Sequence, residues 1–167
     1  MEILTYALTL LISFLGILIG IIVSNMAIEE MRNTSTYLKY LNIIIIPLTI
    51  FVASYNINKL YTILFACIIL IMLILFREKY SNVWVYPCMG AILYVSTKSQ
   101  ETLNVATLIF IYGISVATID TSIHFKKKIN GQITISNNIP LIKNIFSKYW
   151  YYLLVGIVFY VIFSIVL

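Results

Sequence analysis

Asp120 and His124 lie four residues apart, a spacing that puts both on one face of a helix. They are the only aspartate and the only histidine in the chain. Glu29 and Glu30 follow the first apolar run and fall on the same side of a membrane as that pair. Ionisable groups at the rim of a bilayer bind cations or pass protons, so these four residues form a candidate polar vestibule facing the cytoplasm. A plainer reading stands beside it, in which Asp120 is wetted among Thr118, Thr121 and Ser122 and neutralised by Lys126, Lys127 and Lys128.

Other reactive residue types are sparse. Cys67 and Cys88 fall inside apolar runs and read as small buried residues rather than a disulfide or a metal pair. One histidine cannot build a histidine-rich metal centre. No HExxH, GxSxG, GxxxxGK[ST] or GxGxxG occurs. General acid/base catalysis therefore has few players, an enzyme ranks last among the functional classes, and neither metal nor cofactor is expected.

The elements that must carry these residues are set by composition. Of 167 residues, 62% are hydrophobic and 10% charged, against about 45–50% and about 25% in soluble domains. Mean hydropathy is +1.01. A soluble domain and a disordered chain are excluded. A net charge of +5 spread over such a chain offers no basic face to nucleic acid. What remains is an all-α polytopic integral membrane protein whose first partner is the lipid bilayer.

Crossing a hydrocarbon core takes about 20 apolar residues, with about 17 tolerated. Six runs free of Lys, Arg, Asp and Glu qualify or nearly qualify: 3–23, 41–55, 60–76, 83–97, 103–119 and 151–167. None alternates as a barrel strand would, so six transmembrane helices are predicted within one domain, 1–167. The first run has no basic leader and exceeds a signal-peptide core, and is read as a retained helix.

Lysine and arginine orient the spans. Arg32, Lys39, Arg77, Lys79, Lys126, Lys127, Lys128, Lys143 and Lys148 follow the odd-numbered spans, and only Lys59 and Lys98 follow the second and fourth. The positive-inside rule then puts both termini outside and the main loops in the cytoplasm of a cell-membrane protein. The longest loop, 122–150, has an Asn130-Gly131 hairpin signal followed by alternation through Ile135; a small hairpin and a basic loop with one turn are both open. Beyond it, Asn138 as a cap, Pro140 in the first turn and the recurrence of Leu141, Ile142, Ile145, Phe146, Tyr149 and Trp150 predict a short amphipathic helix at the interface. Tyr149 to Tyr152 form an aromatic belt there.

Two features bear on function. Pro47 and Pro87 lie 40 residues apart, Lys59 and Lys98 lie 39 apart, and the proline-bearing runs are the two shortest, at about 22 Å each. Paired, interrupted helices in corresponding halves point to a transporter cavity; prolines are also common in membrane helices generally. Second, Ser13, Gly16, Gly20 and Ser24 make a flat stripe on the first span, and Thr102, Ala106, Gly113 and Ala117 make one on the fifth. Small residues let membrane helices approach closely, so these two spans are expected at the packed centre, against each other or against another subunit. No carboxylate or basic group sits near a midplane, which demotes ion-coupled transport. The chain is therefore read as a small translocating or permeating protein, oligomeric because six thin helices leave little room for a private path. The alternative is a non-catalytic subunit of a larger membrane complex.

Overall fold

A computed structural model describes residues 3–26, 28–56, 63, 66–69, 71, 73, 82–128 and 138–166. Its elements are α1 (Ile3–Met26), α2 (Ile28–Ser54), α3 (Asn82–Ser99), α4 (Thr102–Lys128), α5 (Asn138–Tyr149) and α6 (Tyr151–Val166). Every element among the described residues is helical, as a chain with no water to satisfy its backbone requires. Among the described residues, four stretches are long and apolar enough to cross a membrane: Ile3–Met26, Thr34–Ser54, Thr102–Ile123 and Ile142–Ile162. Within the run 60–76, the described positions are helical, and Ile69 and Leu73 pack on the core. The Asn130-Gly131 hairpin signal lies outside the described residues.

The helices run past the apolar boundaries that hydropathy predicts. The proline arms are the clearest case: α2 has 27 residues and α3 has 18, where runs of 15 were expected. Helix continues through Pro47 and Pro87, because a proline removes one donor and crowds one carbonyl without stopping a helix held by its neighbours. At 1.5 Å per residue α3 extends about 27 Å. The last crossing also begins earlier than residue 151. Trp150 N–H still donates to Phe146 O at 3.0 Å, and Leu153 N–H donates to Trp150 O at 3.0 Å, so helical bonding carries α5 into α6 and the apolar stretch starts at Ile142.

The α3–α4 turn is closed by its own backbone. Gln100 takes φ 63°, the left-handed position after a helix that glycine usually fills. Glu101 N–H then reaches back to Ser96 O at 3.2 Å, while Glu101 O accepts from Val105 N–H at 3.0 Å and opens α4. From the end of α2, the Asn56 side-chain amide donates to Ser99 O at 3.0 Å. That asparagine ties the end of α2 to the α3–α4 turn.

α4 is the centre, packed along α1 and α2 and touching α3; α3 in turn packs along α6. Gly16 and Gly20 of α1 lie directly against α4. A Cβ on Gly16 would strike the carbonyl oxygen of Phe110, and one on Gly20 would lie 2.5 Å from Ile114 O and 2.9 Å from Ala117 Cβ. A second seam joins α3 to α6, where a Cβ on Gly90 would be 2.7 Å from Tyr152 O and 2.9 Å from Gly156 N. Such approaches are what hold helices together where lipid tails are as apolar as the helix faces. Outward, Leu4, Leu8, Leu11 and Ile12 of α1 and Leu154, Ile157 and Ile162 of α6 are exposed, as surfaces meeting acyl chains would be. Cys67 and Cys88 are exposed as well, not buried as their setting suggested. In lipid an apolar side chain gains as much facing outward as inward, so hydropathy does not separate the two.

Candidate functional site

Five tyrosines fill the interior where α1, α3, α4, α5 and α6 meet: Tyr6, Tyr86, Tyr112, Tyr149 and Tyr152 are all essentially inaccessible. Tyr86 is their hub. Its ring stacks on Tyr112 with centroids 5.8 Å apart, meets Tyr149 edge-on at 5.5 Å and lies tilted against Tyr152 at 4.8 Å. A buried phenol brings a large apolar body and a hydroxyl that must find a partner. Tyr152 shares a 2.5 Å hydrogen bond with the Ser13 hydroxyl, and Tyr6 donates to Gly156 O at 3.1 Å. The Tyr86 hydroxyl has no partner among the described residues. It sits where Gly113 leaves space: a Cβ there would be 3.0 Å from it.

A second orphan lies on α2. Asn42 is 1% exposed, and neither its amide nitrogen nor its amide oxygen has a partner among the described residues. One turn earlier, Leu38 O accepts from the Ser115 hydroxyl of α4 at 3.3 Å, so Asn42 shares the α2 face that meets α4. Both orphans thus lie beside the 112–115 turn of α4. Each is also coupled to a proline: Tyr86 precedes Pro87, and Asn42 precedes Ile43, whose carbonyl loses its usual N–H to Pro47. Leaving a buried polar group unpaired costs about 1–3 kcal/mol, and such groups in native structures mark functional or hydrated positions.

At the far end of α4, Asp120 is bound on one oxygen by two donors. Lys148 Nζ lies 2.5 Å from Oδ2, and the Tyr149 hydroxyl donates to the same atom at 2.7 Å. The side chains are 16% (Asp120) and 37% (Lys148) exposed, so the pair is half sheltered. The described partners come from α5; the side chains of Lys126, Lys127 and Lys128, to which the charge pattern pointed, lie outside the described ones. Spacing along α4 points at those lysines, whereas the contact with α5 bridges 28 residues. Glu29, Glu30 and His124 belong to α2 and α4 by backbone, but their side chains lie outside the described ones.

The small-residue positions fall in one place. Ser13, Gly16, Gly20 and Ser24 are all buried on α1, and Gly113 and Ala117 face them from α4. The Thr118 hydroxyl adds a 3.3 Å bond to Gly20 O. Gly90, Gly156, Asn42 and Tyr86 escaped the sequence pattern. The glycines are single, without a stripe, and tyrosine is frequent enough here, at 13 residues, that no one of them stands out. Asn42 had a signal, as a carboxamide at the edge of a span among four isoleucines.

The chain matches no family model, no curated protein and no solved structure.

Proposed function

We propose that this chain crosses a cell membrane six times with both termini outside, and that copies of it together let a small uncharged solute permeate. The supporting observation is the pair of orphan polar groups on the two proline-bearing helices. The Tyr86 hydroxyl and the Asn42 carboxamide each donate and accept hydrogen bonds, and both flank the same turn of α4. A neutral solute that carries donors and acceptors satisfies such groups; an ion does not suit an interior without charge. The subunit reading loses one of its supports, since the glycine faces it would use for docking are spent within the chain.

Two measurements check this reading. In a cysteine-free background, Lys98→Cys should react with an impermeant maleimide on intact cells, and Lys127→Cys only after permeabilisation; the reverse pattern overturns the orientation. Vesicles containing the full chain should shrink and reswell in a glycerol or urea gradient at least tenfold faster than protein-free vesicles. Asn42→Leu and Tyr86→Phe should each lower that rate several-fold with helical content unchanged. A stably folded chain that leaves vesicle permeability at the protein-free level overturns permeation and favours the complex subunit.

A further inference from the structure

α5 has two apolar faces: one is buried in the bundle, and the other is half open, touching the bundle where Phe146 meets Phe14 edge-on with centroids 5.2 Å apart. Ile145 and Tyr149 point inward and are 4% and 0% exposed. Ile142, Phe146 and Trp150, spaced by four, form a second strip that is 39%, 41% and 38% exposed. Alongside it run Lys143 and Ser147, and the five residues line an open hollow of about 520 Å³. Lys143 has no carboxylate partner among the described residues, in contrast to Lys148, which Asp120 neutralises. The hollow therefore combines an apolar floor with the positive charge of Lys143 and the hydroxyl of Ser147 at its edge.

We infer that this hollow is a binding site for one anionic phospholipid. The strip Ile142, Phe146 and Trp150 takes an acyl chain, while Lys143 and Ser147 take the phosphate. The occupant is chosen by charge: a zwitterionic lipid brings its own cation to the headgroup and gains less from Lys143, whereas a net negative headgroup gains about 1 kcal/mol per basic side chain. Depth agrees, because the hollow lies at the start of the apolar stretch Ile142–Ile162, where headgroups meet the acyl region, and the rings of Trp150 and Tyr151 lie tilted against each other there at 4.7 Å. The site rests on the chain being embedded in a bilayer. It does not depend on what the bundle transports or on which leaflet α5 occupies.

The test uses the full chain in nanodiscs of equal phosphatidylglycerol and phosphatidylcholine, with retained lipids counted by native mass spectrometry. The wild type should hold one phosphatidylglycerol in clear preference to phosphatidylcholine. Lys143→Gln should reduce that preference about fivefold, the factor that about 1 kcal/mol corresponds to. Lys143→Arg should keep it, and Lys98→Gln, at the other end of the bundle, should leave it unchanged. Equal retention of the two lipids by the wild type, or a preference that survives Lys143→Gln, overturns the site. Lys143 is exposed and has no carboxylate partner among the described residues, so loss of binding with helical content intact reports the lipid contact, and vesicle permeability is free to vary independently.

Discussion

Gly16→Ala should destabilise the bundle by about 1–3 kcal/mol, the usual cost of forcing a methyl into a packed site, when unfolding is followed by denaturant titration in mixed micelles. The sign is the informative part. On a free helix the same change favours helix by about 1 kcal/mol, so only a contact can reverse it. The contact is with backbone: the new Cβ meets Phe110 O, and a carbonyl in the middle of α4 cannot swing aside. Gly16→Leu should separate α1 from α4 outright, with Thr118 losing its bond to Gly20 O. Gly113→Ala should be milder, because one of its neighbours is the end of a side chain, Tyr86 Oη at 3.0 Å. Adding Tyr86→Phe to Gly113→Ala should recover part of the loss, and the cycle of the two should show coupling beyond about 0.5 kcal/mol.

Asp120→Ala ranks second. It removes the one oxygen to which the Lys148 ammonium and the Tyr149 hydroxyl both donate. A fully buried pair broken on one side costs about 3–5 kcal/mol and an exposed one about 0–1; with Lys148 exposed by about a third, a loss of about 1–3 kcal/mol is expected. Asp120→Asn should cost less, since an amide oxygen still accepts from Tyr149. Lys148→Met combined with Asp120→Ala should cost less than the sum of the single changes, because the double variant leaves no uncompensated charge. Additive losses in micelle unfolding would show that the ion pair contributes nothing.

What could be read from the residues differs by the kind of physics involved. Helicity and membrane insertion follow from composition, because a lipid-bound backbone must satisfy itself and apolar runs of this length admit few other structures. The α1 stripe was visible for a similar reason: four small residues at helical spacing leave a flat face whatever covers it. Its partner was visible as one of two alternatives, because Gly113 and Ala117 mark a matching face on the fifth span, while the carbonyls of Phe110 and Ile114 that meet the stripe carry no signature in side-chain type. Helix ends were poorly placed for the converse reason. Thr34 to Tyr40 and Asn82 are polar enough to end an apolar run yet continue a helix, and Pro47 and Pro87 read as interruptions although the helices pass through them. Of the candidate site, the prolines were found from spacing, while Tyr86 and Asn42 became notable only once their surroundings showed them without partners. A hydrogen bond that is not made has no trace in a sequence.

The pairing of α1 with α4 also imposes an order on biogenesis. Gly20 and Thr118 are joined across 98 residues, and a ribosome adding about 5–20 residues per second needs roughly 5–20 s to make the intervening chain. For that interval α1 resides in the bilayer with its flattest face bare, while later helices emerge. Two nascent copies at high expression have that long to pair glycine face to glycine face, in competition with the native partner. α1 is thus made well before the helix that locks it, and the rate of elongation sets how long it must wait.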